Sequence, residues 1–478
     1  MSYKRFGFVL GPLLFILIHF FFKGEGLSEE GRDILAATSW IGIWWVFEVL
    51  PIAVTALLPI LLFPLLDAVA LGDTTASYGH KYVFLYLGGF ILAITIEKWN
   101  LHKRIALQII KTIGTNMYTI VLGFMVATAF LSMWISNTAT TVMVLPMAIS
   151  IVKQLKDNPD TPEDENKVFS KLLMLAIAYA ASIGGIATLI GTPPNLVFAG
   201  FVQKTYGVDI SFWQWMKFGL PVASVLLVLA WLYLTRIAYP LRKARFPGGK
   251  KEIIRLLAEL GPLGKEEKMV LLVFVLTAFC WITRSFLLQK FIPNIDDTII
   301  AIASAIVLFI IPANRSGEPL IKWNEAVRIP WGIILLFGGG MAIAKGFQDT
   351  GLATYLGGQM TFFDGLPLFV LLLLVITCVN FLTEVTSNLA TTAMMLPVLA
   401  PLALTLGINP YLLMVACTSA ASCAFMLPVA TPPNAVVFGS GYLRIPDMVR
   451  TGFLMNMLSI IIMALAVYFF LPIIMDFV

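Results

Sequence analysis

The sequence predicts an all-α, polytopic membrane protein made of two related halves, and three observations carry that reading. Of its 478 residues 59% are hydrophobic and only 12% charged, with a mean hydropathy of +0.90. A soluble domain carries about twice that charged fraction. Apolar runs of 16 or more residues recur along the whole chain, long enough to form membrane helices. Finally, Ser136-Asn137-Thr138-Ala139-Thr140-Thr141-Val142-Met143-Val144-Leu145-Pro146 returns 251 residues later as Ser387-Asn388-Leu389-Ala390-Thr391-Thr392-Ala393-Met394-Met395-Leu396-Pro397, with eight of eleven positions identical. A polar Ser-Asn tip inside an apolar run is costly in lipid unless the protein interior satisfies it. A repeated tip of this kind points to one shared binding site.

The chain opens with Lys4 and Arg5 before an apolar run at 6–22 that lacks a small-residue cleavage site, read as a retained first span. Residues 23–33 carry four acids against Lys23 and Arg32, placing them outside. Spans are expected at 34–50, 52–66 and about 82–97, the last containing Gly88-Gly89 for close helix packing. Glu48, at the end of the second, reads as a polar anchor or as part of an ion pathway. Residues 99–117, with Lys103, Arg104 and Lys111, read as an amphipathic helix on the cytoplasmic surface. The region 119–152 is apolar apart from Ser136-Asn137-Thr138, and its arms are too short for two crossings. A re-entrant hairpin, flanked by Lys111 on one side and Lys153 and Lys156 on the other, accounts for it.

A span at about 171–202 is broken by Gly191-Thr192-Pro193-Pro194-Asn195, and another runs over about 216–235. Residues 236–268 hold nine Lys/Arg against four Glu, the strongest cytoplasmic signal in the chain, and separate the halves. Spans then follow at about 269–288, 297–312 and 331–347, the last with Gly338-Gly339-Gly340. A second interrupted region occupies 366–406, a broken span 411–440 contains Ala430-Thr431-Pro432-Pro433-Asn434, and the last span is about 453–474. This gives residues 1–30 as the first span with the N-terminus, 31–235 as the first repeat, 236–268 as a basic connector and 269–478 as the second repeat. Five spans and one hairpin per half make the repeats inverted, with the site at their interface. The N-terminus is then cytoplasmic and the C-terminus outside.

Thr192-Pro193 and Thr431-Pro432 read as helix starts, because threonine caps well and proline at the first helical position loses no bond. Ser136-Asn137 and Ser387-Asn388 cap the second arms of the hairpins. Four helix N-termini in one place form an anion site without a buried lysine or arginine. The arms that end there expose carbonyls which, with Ser, Thr and Asn oxygens, suit a small hard cation such as Na⁺. Glu384 stands three residues before the second tip, where the first half has Met133. It reads as structurally paired, with Lys345 as one partner, as a cation attractor, or as a proton relay.

Other chemistry is poorly supported. Cys280, Cys378, Cys417 and Cys423 lie in apolar segments without ligand spacing and read as buried hydrophobes. His19, His80 and His102 are scattered, share no motif and read as interfacial. A net charge of +5, concentrated in loops, favours membrane anchoring over nucleic acid. An intramembrane hydrolase would use Ser136 or Ser387 as nucleophile, but no His or Lys lies near either in sequence. The chain therefore reads as a carrier and not an enzyme.

The Ser-Asn-Thr and Ser-Asn-Leu tips, each followed by a Thr-Pro-Pro-Asn break, resemble the divalent anion:sodium symporter family over nearly the whole chain. The resemblance implies an eleven-span homodimer in the cytoplasmic membrane, with a scaffold domain and a transport domain that moves as an elevator. It implies succinate, malate, fumarate or a related C4 dicarboxylate as cargo, with several Na⁺. By resemblance, one Na⁺ site uses Ser132, Ser136, Asn137 and the backbone at Gly191, and the other uses Thr383, Thr386, Asn388 and the backbone at Ala430. The substrate would meet Asn137, Thr138, Ser387 and Asn388, with Thr192, Pro193, Thr431 and Pro432 around it. Leu389 replaces a threonine that many bacterial relatives carry, removing one hydroxyl donor. The family is also similar to sodium-independent dicarboxylate exchangers, including those for 2-oxoglutarate, which is the alternative function.

Overall fold

The computed structural model describes residues 3–114, 116–153, 165–240, 249–313, 317–360 and 363–474. Lys156, Arg315 and the connector bases at 242, 243 and 245 fall outside the described residues. Within them the chain is helical, with one isolated β-bridge between Pro312 and Pro319. In chain order the main helices are α1 (Tyr3–Phe21), α2 (Glu29–Val46), α3 (Lys81–Lys98), α4 (Leu101–Ile113), α5 (Met117–Ser132) and α6 (Asn137–Lys153). They continue as α7 (Glu165–Ile186), α8 (Pro193–Tyr206), α9 (Phe212–Leu232), α10 (Gly249–Glu259), α11 (Lys265–Thr283) and α12 (Asp297–Ile310). The last six are α13 (Trp331–Asp349), α14 (Leu368–Thr383), α15 (Asn388–Thr405), α16 (Pro410–Ala421), α17 (Pro432–Phe438) and α18 (Ile445–Leu465). Seven helical stretches among the described residues are long and apolar enough to cross a membrane.

Several boundaries differ from the sequence reading for local reasons. The segment at 52–66 is two short helices, Ile52–Thr55 and Leu58–Leu65; Pro59, in the first turn of the second, has no amide to continue the first. The helix beginning at Asp297 has only 14 residues; Asp296 caps it, accepting from Thr298 N at 2.8 Å. The basic connector contains a helix, α10, that the charge count did not reveal. The last span begins earlier, at Ile445, where Asp447 caps the Arg444 amide.

Burial divides the molecule. The window Asn166–Ile186 in α7 is 94% buried, whereas that in α1 is 11% buried and shows Phe8, Phe20 and Phe21 outward. A helix apolar on every side is a core element when buried and faces lipid when exposed. The paired segments pack in exchanged fashion around α7 and α16. Hairpin arm α6 lies against α17, the helix after the second break, and α15 lies against α8, the helix after the first. The glycine runs permit close approach, as expected: a Cβ on Gly88 would stand 2.6 Å from the Ala301 backbone, and one on Gly339 2.5 Å from the Ala56 carbonyl.

The cysteine and histidine expectations need correction. Cys417 and Cys423 are buried, but Cys280 is half-buried and Cys378 exposed on α14. His102 is buried and bonds the Ile96 carbonyl at 3.0 Å, ending α3 rather than lying at an interface.

Candidate functional site

Each Ser-Asn tip is a tight turn between two helix arms. At the first, α5 ends at Ser132 and α6 starts at Asn137, with Ser136 Oγ accepting from Ala139 N at 3.2 Å. At the second, α14 ends at Thr383 and α15 starts at Asn388, with Ser387 capping it through Ala390 N. The Thr-Pro-Pro-Asn motifs start α8 and α17 with proline in the first turn. Thr431 Oγ1 accepts from Asn434 N at 3.3 Å, whereas the Thr192 side chain makes no cap bond, so threonine capping holds for one copy only.

All four helix starts line one cavity of about 940 Å³. Its wall includes every expected substrate residue: Asn137, Thr138, Thr192, Pro193, Ser387, Asn388, Thr431 and Pro432. Ser136, Gly191, Thr386 and Ala430 line it as well, and the Leu389 side chain is among the lining groups. No lysine, arginine or histidine does so among the described residues. Any positive potential at this wall comes from the first-turn N–H groups of the helices, which have no intrahelical partner.

Behind the wall lie two oxygen cages built alike. Ser132, fully buried, donates to the Ala181 carbonyl at 2.7 Å, and its Oγ lies 2.5 Å from the Asn137 side-chain amide. Thr383, also fully buried, donates to Asn388 Oδ1 at 2.8 Å and to the Ala421 carbonyl at 3.2 Å. The end of the Asn137 amide that meets Ser132 also lies 3.2 Å from the carbonyl oxygens of Ala181 and Gly191. With oxygen at that end, four oxygens gather with too few protons to join them, the donor set of a hard cation. With nitrogen there, the amide donates to all three neighbours instead. Nitrogen at that end is the setting that satisfies every neighbour.

The other expected cation residues make contacts of their own. Ser136 serves as a cap at the cavity wall, and Thr386 bonds Thr391 Oγ1 at 2.5 Å and the Leu382 carbonyl at 2.9 Å. Gly191 joins the first cage through its carbonyl, while Ala430 stands in the cavity wall.

Three supports escaped the sequence reading. Asn195 Nδ2 gathers the carbonyls of Gly185 (3.2 Å), Ile186 (3.3 Å) and Thr188 (2.7 Å), and Asn434 Nδ2 those of Ala424 (3.3 Å) and Leu427 (3.0 Å). The repeated asparagine closing each break was the available signal. Thr188 joins the first break to the first tip: its hydroxyl donates to the Met133 carbonyl at 2.5 Å and accepts from Gly191 N at 3.1 Å.

Glu384 is the corresponding brace in the second half. Its carboxylate accepts from Phe425 N (2.8 Å), Met426 N (3.0 Å), Leu427 N (3.0 Å) and Asn456 Nδ2 (2.8 Å). Four donors on one buried carboxyl make Glu384 a structural acceptor that holds residues 425–427 in place. The suggested Lys345 partner is wrong: Lys345 pairs with Asp349 at 2.7 Å, across one helical turn.

The match to the sodium:sulfate symporter transmembrane region runs over residues 5–476. The chain belongs to that symporter family. Symporter relatives agree along the same length: the sodium-dependent dicarboxylate transporter SdcS of Staphylococcus saprophyticus is 47% identical over 98% of this chain and 91% of its own. SdcS of Staphylococcus aureus strain USA300 is 46% identical with the same coverage. Two solved transporters share the fold of this symporter-family chain at low identity. Neisseria gonorrhoeae MtrF has a TM-score of 0.59 at 12% identity, covering 97% of this chain and 95% of its own. The Alcanivorax borkumensis YdaH transporter gives 0.58 at 13%, covering 83% and 86%.

Proposed function

We propose that this chain is a secondary active carrier that moves a C4 dicarboxylate such as succinate, malate or fumarate together with Na⁺. The observation that carries the reading is the pairing of one cavity, lined by four helix starts and by no basic side chain among the described residues, with two oxygen cages that share Asn137 and Asn388 with its wall. An anion held by peptide dipoles is released more readily than one salt-bridged to a guanidinium, as a carrier requires. The names of the staphylococcal relatives support both cargo and ion.

The Asn137 amide supplies a physical link between ion and anion. Asn137 belongs to both places: its side-chain amide meets Ser132 and the Ala181 and Gly191 carbonyls in the cage, and the residue lines the cavity, so a cation that draws Oδ1 into the cage alters what the wall offers an anion. Asn388, bonded in the same way to Thr383, has the same role at the second cage.

The architecture we propose has eleven spans and two re-entrant hairpins. Residues 31–235 and 269–478 form inverted repeats joined by the connector 236–268, with the hairpins at 119–152 and 366–406. The exchanged packing of α6 on α17 and α15 on α8 supports that symmetry. The hairpins and broken spans form a transport domain, which moves as an elevator against a scaffold in a homodimer. The protein sits in the cytoplasmic membrane with its N-terminus inside and its C-terminus outside. The test is labelled succinate uptake into proteoliposomes with external Na⁺ replaced by K⁺ or choline. Loss of uptake is the expected result. Undiminished uptake that needs internal diacid would make the protein a sodium-independent exchanger.

A further inference from the structure

Glu48 is the one charged side chain on the cavity wall among the described residues. It is exposed, and no hydrogen bond or ion pair to its carboxylate is found among the described residues. It lies in the turn between α2 and the short helix Ile52–Thr55, and Val46, Ile52, Phe90, Ile333 and Leu336 line the same cavity. Its backbone has φ 43°, a left-handed conformation that a glutamate seldom adopts. The turn is pinned on both sides: Val49 N donates to the Trp44 carbonyl at 3.2 Å, and Trp45 Nε1 donates to the Ile52 carbonyl at 3.2 Å. A strained turn thus places on the lining of this cavity a glutamate whose carboxylate has no partner among the described residues, an outlier that points to function.

We infer that Glu48 sets the charge limit of the cargo, admitting dicarboxylates and rejecting acids with a third carboxylate. The inference rests on the dicarboxylate reading above. A diacid seated on the helix starts turns its hydrocarbon middle to an apolar wall, and Glu48 meets no charge. A third carboxylate directed at that wall finds no donor there and faces a fixed negative charge. Discrimination of this sort arises from a repulsive element, not from tighter contact with the preferred ligand. Glu48 also offsets part of the positive charge that accompanying Na⁺ brings into the cavity.

The test is competition of tricarballylate, which is succinate bearing one extra carboxymethyl arm, against labelled succinate uptake in Na⁺. Wild-type, Glu48→Gln and Glu48→Asp proteins are compared. In Glu48→Gln the ratio of half-inhibiting tricarballylate to half-inhibiting unlabelled succinate falls about tenfold or more, equivalent to about 1.4 kcal/mol. Glu48→Asp, which keeps the charge, stays near the wild-type ratio. An unchanged ratio in Glu48→Gln overturns the inference, as does an equal fall in Glu48→Asp. Should Glu48→Gln fail to transport, the thermal shifts that the two acids give the purified variant in Na⁺ yield the same ratio. Normal wild-type succinate uptake with an unchanged ratio refutes the role of Glu48 alone; no wild-type uptake refutes the dicarboxylate reading beneath it.

Discussion

Ser132→Ala separates the ion cage from the substrate wall, because Ser132 is fully buried and lines no part of the cavity. The substitution removes one hydroxyl that meets the Asn137 side-chain amide at 2.5 Å and donates to the Ala181 carbonyl at 2.7 Å. Deleting an oxygen that serves a charged partner costs about 1.5–3 kcal/mol. That corresponds to roughly a tenfold to hundredfold rise in the Na⁺ concentration giving half-maximal uptake. The change in fold stability is smaller, since Asn137 can still donate to the Ala181 and Gly191 carbonyls. The assay is initial succinate uptake as a function of Na⁺, followed by succinate titration at saturating Na⁺. Half-saturation for succinate at saturating Na⁺ should stay near wild type. The reasoning is refuted if sodium dependence is unchanged while succinate affinity falls. Thr383→Val makes the same test on the second cage and keeps the β-branched shape.

Asn137→Ala and Asn388→Ala each remove an amide shared by cage and cavity, and both should abolish uptake while the purified protein keeps its helical circular dichroism; full activity in either contradicts the assigned roles. Glu384→Ala leaves the backbone N–H groups of Met426 and Leu427 without their acceptor, while Phe425 N keeps Asn456 Oδ1 at 3.2 Å, and should destabilise the protein by about 2–4 kcal/mol, seen as a clear fall in unfolding temperature. An unshifted unfolding temperature would show that the brace is dispensable. Tyr86→Phe removes a buried hydroxyl that has no partner among the described residues, and should stabilise the protein by about 1 kcal/mol; a loss of stability would reveal a bonding partner for that hydroxyl.

Much of this arrangement is legible from residue order because membrane interiors punish unsatisfied polar groups so severely. Ser136-Asn137 and Ser387-Asn388 stand out from apolar surroundings, and the cavity gathers both with the two Thr-Pro starts. The residues that brace the site were harder to see. Asn195 and Asn434 act through backbone carbonyls of the preceding break, and no side-chain pattern announces which carbonyls lack a donor. Glu384 illustrates the same blindness. Its partners are backbone amides some forty residues away, so a search for a basic partner led to Lys345, which is engaged on its own helix.

Helix ends were misjudged where proline or capping outweighs hydrophobicity, as at 52–66 and at Ile445. Glu48 could be seen as an acid in a span, but not as an acid on the cavity wall. Its position depends on a left-handed turn that hydrophobic periodicity does not encode. Thr386, which the family resemblance implies beside a cation, has its hydroxyl bonded to Thr391 and Leu382.

The central claim is that one cavity binds a diacid only when the cages behind it hold sodium. Simultaneous uptake of radioactive Na⁺ and labelled succinate into one batch of proteoliposomes tests it most directly. The account predicts that sodium entry rises with succinate entry in a fixed ratio and that each flux vanishes when the other solute is left out. Succinate entering at an undiminished rate with no accompanying sodium would contradict it.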